Sequence, residues 1–341
     1  MNRVLTLLIL FILVSCKNET TLTDEEKRWQ QHAENVEIIR DDFGVPHIYG
    51  KTDADAVFGL LYAQCEDDFN RVERNYIWAI GRLAEVEGEA SIYSDLRAKL
   101  YMTKEEAIEN YNNSPQWLKD LCVAYADGVN YYLKTHPEVK PKLLTHFEPW
   151  MPMYFSEGSI GGDIERVSTR KIKEFYDNDN EEVLAVNDGL IRLKDDEPRG
   201  SNGFAISGDK TKSGNAMLLI NPHTSFYFRG EVHVVSEEGL NAYGAVTWGQ
   251  FFVYQGFNEK TGWMHTSTGT DIIDEFEETI VQENGKTSYK YGDELRPVDS
   301  MEVTLNYKST DGIKDKTFMM YRTHHGPITH ANDDKWVSTA L

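Results

Sequence analysis

The stretch at 177–200, DNDNEEVLAVNDGLIRLKDDEPRG, constrains this chain more than any other feature. It is dense in acids and ends on Pro-Arg-Gly, as a linker does. The residues on its two sides obey different periods. Before it, Ala56, Leu60, Ala63, Phe69, Val72, Ile77 and Ile80 recur at helical spacing through 53–86. Helical patterns continue over 103–111, 115–133 and 164–176, and Thr23-Asp24-Glu25-Glu26 marks a helix start. Short extended pieces at 36–40 and 45–49 flank the turn Asp42-Phe43-Gly44. After the acidic stretch, residues 203–207, 216–221, 231–235, 242–248, 251–254, 275–282 and 301–307 read as strands. Helices first and strands second predict an α+β fold.

Composition narrows the function classes. A length of 341 residues with 40% hydrophobic and 12% aromatic content supports a large core and excludes global disorder. A formal charge of −21 excludes a nucleic-acid partner, which needs a basic face, and adsorption to an anionic membrane through basic residues. Three cysteines are too few for a disulfide framework. Cys65 and Cys122 fall in helical patterns and are expected to be buried apolar residues.

Met1 to Cys16 reads MNRVLTLLILFILVSC: one positive charge, then an apolar run too short to span a bilayer. Leu13-Val14-Ser15-Cys16 resembles the lipobox of bacterial lipoproteins. The expectation is an exported protein, lipidated at Cys16 and held at a periplasmic or cell-surface membrane face by that anchor alone.

Several hydrolase and cofactor motifs are absent: no Gly-x-Ser-x-Gly elbow, HExxH, P-loop or Cys-x-x-Cys occurs, and no organic cofactor is expected. His324-His325 could ligate a metal, but adjacent strand residues point to opposite faces, so a shared metal is not expected. The linker end is more informative. Gly200-Ser201-Asn202-Gly203-Phe204-Ala205-Ile206 sets a serine between the acidic segment and a strand. Downstream come Asn221-Pro222-His223, then Gly256-Phe257-Asn258-Glu259-Lys260-Thr261-Gly262-Trp263 and His265-Thr266-Ser267. Upstream stands Arg40-Asp41-Asp42-Phe43-Gly44-Val45-Pro46-His47-Ile48. Alone, each is weak; Gly-Ser-Asn is an ordinary turn sequence.

Together and in this order, these segments resemble the penicillin acylase family. These N-terminal-nucleophile (Ntn) hydrolases include penicillin amidases, cephalosporin acylases and acyl-homoserine-lactone acylases. The resemblance runs from about residue 36 to 341. It implies a four-layer αββα sandwich, two mainly antiparallel sheets covered by helices. It also implies self-cleavage between Gly200 and Ser201, with the acidic segment as the spacer removed during maturation. Ser201 then carries both a hydroxyl nucleophile and a free α-amine. A serine hydroxyl needs a base, and an α-amine titrating near about 8 supplies one at neutral pH. Glycine before the serine permits a strained backbone in the precursor.

The same resemblance implies roles for further residues. The backbone N–H of Ser267 is one oxyanion donor, and His223 steadies the serine α-amine. Arg166 and Val167 fall where helix residues gate the acyl pocket. Asp271, Ile273 and Asp274 align with a calcium-binding stretch, with Glu174 as an added ligand for a structural Ca2+; the alternative is a solvated acidic turn. Phe226, Tyr227 and Phe228 could line the pocket, with at least two of the three expected in the core. The family's second oxyanion donor is an asparagine farther along the second chain than this sequence reaches, and neither Asn258 nor Asn284 is taken for it.

The expected function is therefore an autoproteolytically activated amidohydrolase acting on a small-molecule acyl amide. Alternatives are an acyl-homoserine-lactone acylase specifically, or a non-catalytic lipid-anchored binding protein on the same scaffold. The expected organisation is a signal peptide at 1–16, an α-chain region at 17–176, a spacer at 177–200 and the start of a β-chain at 201–341, the two chains forming a heterodimer. The stretch 323–328 resembles an internal family segment. The chain is thus expected to be the front portion of a longer precursor, lacking sheet strands and inactive by itself.

Overall fold

A computed structural model describes residues 22–155, 164–177, 200–224, 228–266 and 270–341. Cys16, the linker residues 178–199, Phe226, Tyr227 and Ser267 lie outside the described residues.

The first half is helical: α1 (Asp24–Asn35), α2 (Asp53–Ala79), α3 (Ala84–Glu87), α4 (Ile92–Tyr101), α5 (Lys104–Asn113), α6 (Gln116–Thr135) and α7 (Thr169–Tyr176). Threonine starts three of them. Thr23, Thr52 and Thr103 each accept the N3 backbone N–H while the N3 acid, Glu26, Asp55 or Glu106, reaches back to the cap. Helices α2 and α6 share a core of Phe58, Leu61, Phe69, Tyr76, Tyr125, Val129 and Tyr132. Cys65 and Cys122 are buried and free, as expected, and burial raises both thiol pKa values. Among the described residues, no helix is long and apolar enough to cross a membrane.

Two strands precede the linker, β1 (Val36–Arg40) and β2 (Pro46–Gly50). After it come β3 (Ser201–Ile206), β4 (Met217–Pro222), β5 (Arg229–Ser236), β6 (Asn241–Thr247), β7 (Gln255–Phe257) and β8 (Gly262–Trp263). A six-stranded sheet runs β1-β2-β5-β6-β7-β8. Its neighbours are antiparallel except β2 and β5, which pair in parallel from His47↔His233 to Gly50↔Ser236. That parallel pairing joins residues from both sides of the linker, so the two halves share one sheet. Alternation divides its faces. Ile48, Val232, Val234 and Val246 are buried in the helical core, while Ile39, Tyr49 and Phe257 on the other face are exposed.

The chain continues with β9 (Asp274–Glu278), β10 (Ile280–Glu283), β11 (Lys286–Tyr291), β12 (Glu294–Pro297), β13 (Asp299–Ser309), β14 (Gly312–Thr323), β15 (Gly326–Asn332) and β16 (Lys335–Ala340). These form a five-stranded sheet, β13-β14-β15-β16-β9, and a three-stranded one, β10-β11-β12. A second core joins Leu305, Phe318 and Met320 of this half to Ile92, Leu96, Leu100, Val167 and Ile172 of the helical half. Arg322 ties the same junction, donating to the Leu100 carbonyl at 2.9 Å and pairing with Glu106 at 2.5 Å.

The α+β expectation holds, and the differences are local. The helical pattern at 53–86 ends at Ala79, because Gly81 takes φ +65°. The pattern at 164–176 divides into a 3-10 turn, Ile164–Arg166, and α7, capped by the Ser168 hydroxyl. Residues 251–254 are not a strand; the extended residues follow at Gln255–Phe257. The stretch 275–282 breaks at Thr279, where the chain leaves one sheet for another. His324 and His325 occupy the two-residue turn closed by Thr323↔Gly326, not a strand. Their rings consequently lie 3.8 Å apart instead of on opposite faces.

Candidate functional site

Ser201 opens β3 and is the register partner of Pro222, the last residue of β4. This hairpin end brings the linker's last residue, the serine and His223 together. The Ser201 hydroxyl donates to the Gly200 carbonyl oxygen at 2.7 Å. The His223 backbone N–H reaches the same oxygen at 3.2 Å and the Ser201 Oγ at 3.4 Å. Gly200 has φ +141°, a conformation that L side chains rarely adopt. Space is not what demands glycine: an added Cβ would meet only His223 Nδ1, at 4.0 Å.

A second segment closes on the serine from β8. The Thr266 hydroxyl donates to the Ser201 carbonyl at 3.0 Å. Met264 lies over Gly203, where a Cβ would fall 1.8 Å from its sulfur. The segment leading to Ser267 is thus held against β3, although Ser267 itself lies outside the described residues. Asn202 adds a side-chain amide 3.2 Å from His223 Nε2. Sequence reasoning assigned no role to Asn202 or Thr266. Both sit inside quoted motifs, but only the folded register shows which of those residues meet.

Directly opposed residues of an antiparallel pair share a face. Ser201 therefore shares a face with Pro222, Ile220 and Leu218. Those three line a cleft of about 310 Å³ against Arg229, Tyr243 and Phe257 of the six-stranded sheet. Tyr243 donates to Glu231 at 2.6 Å, and burial together with that carboxylate pushes its hydroxyl up to about 12. It stays a neutral donor across the physiological range.

Other sequence candidates lie apart from this corner. Val167 is buried in the second core. Arg166 and Val167 line a separate pocket of about 220 Å³ with Lys171, Ile273 and His330, and neither Ser201 nor His223 lines it. Phe228 stands beside Arg229, whose guanidinium is 5.1 Å from its ring centre. Asn258 fixes a turn, its side-chain oxygen accepting from Lys260 N and Thr261 N. Glu174 pairs with Arg170 at 3.5 Å, and Asp271 and Asp274 are exposed. Among the described residues, no three His, Cys, Asp or Glu side chains converge as a metal site. The pocket beside Ile273 is lined by the Lys171 ammonium, 3.1 Å from His330 Nε2. As placed, these residues do not fit a calcium cage.

The sequence has recognisable relatives. The family model described as penicillin amidase matches residues 35–341. An acyl-homoserine lactone acylase QuiP of Pseudomonas fluorescens is 24% identical, over 88% of this chain and 41% of the relative. An acyl-homoserine lactone acylase PvdQ of Pseudomonas fluorescens is 25% identical, over 86% and 41%. The penicillin acylase 2 proenzyme of Pseudomonas sp. is 24% identical, over 86% and 43%. The chain thus spans about two-fifths of the length of the curated relatives it matches. A family match that takes in both β1 and β16, and with them the Gly200–Ser201 corner, decides membership: this chain belongs to the penicillin amidase family.

Proposed function

We propose that the chain is the front portion of an Ntn amidohydrolase precursor that cuts itself between Gly200 and Ser201 and then hydrolyses small-molecule acyl amides. The observation that carries the reading is the double hydrogen bonding of the Gly200 carbonyl oxygen by Ser201 Oγ–H and His223 N–H. Hydrogen bonds to a carbonyl oxygen polarise the carbon for attack, and Ser201 Oγ stands 2.7 Å from that oxygen.

In the proposed self-cleavage, Ser201 Oγ attacks the Gly200 carbonyl carbon and the His223 N–H steadies the developing oxyanion. The C–N bond breaks as the proton given up by Ser201 Oγ passes to the departing amine, leaving an ester between Gly200 and Ser201. Water hydrolyses that ester to a Gly200 carboxylate and the Ser201 hydroxyl, which leaves Ser201 with both its hydroxyl and the amine freed in the preceding step. In turnover, that α-amine takes the Oγ proton while Oγ attacks a substrate acyl carbon. The proton passes to the leaving amine, and water then releases the acid from the acyl-serine ester. The Ser267 N–H is assigned as oxyanion donor by resemblance alone. The cleft on the Ser201 face of the β3–β4 hairpin is where the acyl group would lie, with Arg166 and Val167 as the resemblance's alternative gate.

The same reading comprises a signal at 1–16 with lipidation at Cys16, an α-chain region at 17–176, a spacer at 177–200 and a β-chain beginning at 201. The parallel β2–β5 pairing supports a heterodimer, since it would hold the two chains after the cut. The finer four-layer sandwich needs a second sheet over the open face of the six-stranded one. The Asp271, Ile273, Asp274 and Glu174 calcium set stays an expectation of the resemblance, and no step depends on it. Relatives named as penicillin and homoserine-lactone acylases keep the substrate proposal at the level of an acyl amide.

The test is expression of the longer precursor, wild type and Ser201→Ala. The wild type should yield a new N-terminus reading Ser-Asn-Gly-Phe-Ala and hydrolyse members of an acyl-amide panel. The variant should stay one inactive chain, and a cut variant would sink the mechanism.

A further inference from the structure

The pocket of about 220 Å³ beside Arg166 is built by both halves of the chain. It lies where α7 and the 3-10 turn before it meet β9, β15 and β16. It is smaller than the roughly 300–1,000 Å³ that organic ligands of drug size occupy. Its deep residues are polar: Thr329, His330 and Thr339 are 1%, 4% and 2% exposed.

A bulge in β15 aims two consecutive residues into this pocket. Ile328 opposes Ser338 and His330 opposes Val337, which leaves Thr329 as the extra residue. Neighbours along a strand ordinarily point to opposite faces, yet Thr329 and His330 both line the pocket. Bulges re-aim side chains in this way beside sites.

The hydrogen bonds of the pocket leave one donor over. The Lys171 ammonium, which can only donate, stands 3.1 Å from His330 Nε2. Burial, and then that ammonium, hold the imidazole below its usual pKa, so it is uncharged at neutral pH. Nε2 therefore accepts, and the ring proton sits on Nδ1, which donates to the Thr329 hydroxyl at 3.0 Å. The hydroxyls of Thr329 and Thr339 are 2.6 Å apart. Two hydroxyls carry two hydrogens, and one of these fills the bond between them. Whichever threonine donates, the other O–H has no acceptor among the described residues. A buried donor without an acceptor is costly, and both threonines line the cavity.

The charges of the lining select what fills it. Arg166 has no carboxylate within ion-pair distance among the described residues. Glu275 is the one acid of the lining; it is half-exposed and stands 3.8 Å from Lys171 Nζ, beyond hydrogen-bond reach. Two cations against one acid make the pocket locally positive in a chain of net charge −21. Water would satisfy the hydroxyl and leave the surplus charge unmatched. An oxyanion satisfies both.

We infer that this pocket binds one small oxyanion of the phosphate class, which accepts from the left-over threonine hydroxyl and from the Lys171 and Arg166 side chains. Bound there, it fastens α7 to β9, β15 and β16 across the junction of the two halves. The site contains neither Ser201 nor His223, so it stands or falls independently of the amidase proposal.

The test is calorimetric titration of the 341-residue chain with sodium phosphate at constant ionic strength, with sodium chloride as the control. Saturable one-to-one binding of phosphate is expected, with competition by sulfate and a melting temperature that rises with phosphate concentration. Lys171→Met/Arg166→Met removes both charges at partly exposed positions and should weaken phosphate at least tenfold. Thr329→Val/Thr339→Val removes both hydroxyls at nearly constant shape and should weaken it about tenfold with the charges in place. Circular dichroism checks the fold of each variant, and the lysine–arginine pair decides if the buried threonine pair does not fold. Absence of saturable binding would overturn the inference and leave the surplus hydroxyl to water. Unchanged affinity in a folded variant would also overturn it, by placing the anion elsewhere on the surface.

Discussion

The backbone N–H of His223 stands 3.2 Å from the carbonyl oxygen of Gly200, across the end of the β3–β4 ladder. It is the hydrogen bond that would continue the ladder past Ser201, so it follows from the strand register and not from the histidine side chain. The donor is set by the backbone alone. The imidazole takes no part in it, and its Nε2 meets the Asn202 amide at 3.2 Å. His223→Ala is therefore expected to retain self-cleavage at a rate within about tenfold of wild type, because the N–H survives the substitution. A gel time course of the longer precursor measures this, and complete loss of cleavage would show the imidazole to be the essential part.

Gly200→Ala should be far more damaging than its size implies. At φ +141° the backbone is outside the range of an L residue, and forcing alanine there costs about 1–3 kcal/mol. The chain would relieve that strain by rotating the carbonyl away from His223 and Ser201. Cleavage should slow by about tenfold or more. An unchanged rate would mean that the left-handed conformation has no part in the reaction.

Thr266 offers a third test. Its hydroxyl joins the Ser201 carbonyl to the loop that continues toward Ser267. Thr266→Val removes one hydrogen bond, about 1 kcal/mol, and should slow self-cleavage roughly fivefold. Thr266→Ser keeps the hydroxyl and should restore the rate. Equal rates for the valine and serine variants would leave the contact without a role.

Much of this corner was legible because the motifs around Gly200, Ser201 and His223 are short and local. Helix starts were legible for the same reason, since Thr23 with Glu26 forms its capping box within four residues. What sequence could not give is register between distant strands. The contact of Thr266 with Ser201 crosses 65 positions, and the 275–282 pattern, EFEETIVQ, reads the same whether it serves one sheet or two. Polar residues such as Lys314, Asp315, Thr329, His330, Ser338 and Thr339 blur alternation in β14 to β16, and these strands became visible only through pairing. The His324-His325 turn was misread as strand because a two-residue hairpin without a glycine inside the turn lacks the usual signal.

Asp95 predicts an unusual dependence of stability on pH. It is buried, and burial pushes its carboxyl up to about 7, against the Ala84 and Leu83 N–H groups and Lys99, which pull it down. The unfolded chain releases this proton near about 3.9. Between these values the folded state binds the extra proton, so stability falls as pH rises through the window and is greatest at its acid end. The contribution is on the order of 1–3 kcal/mol. Denaturant midpoints at pH 5 and pH 7.5 should differ in that direction for wild type, and Asp95→Asn should flatten the difference. A wild type more stable at the higher pH, with no change on substitution, would refute the assignment.

The last prediction turns on the face of the β3–β4 hairpin opposite Ser201. Phe204 pairs with Leu219 and Ile206 with Met217, so these four share one face. They are 62%, 50%, 42% and 57% exposed, an apolar stripe that a folded protein ordinarily covers. The effect of Phe204→Thr/Leu219→Thr should therefore change sign with context. In the 341-residue chain, threonine keeps strand propensity and removes exposed apolar surface. Dye binding and light scattering should fall, with stability altered by less than about 1 kcal/mol. In a longer precursor whose further layer covers the stripe, the same pair should cost about 3 kcal/mol or more, since two buried side chains lose their transfer energy and leave space behind. Denaturation of both lengths measures the two costs. Equal small costs would mean that the stripe stays open in the longer protein, and the proposed sandwich would then have to close over another face.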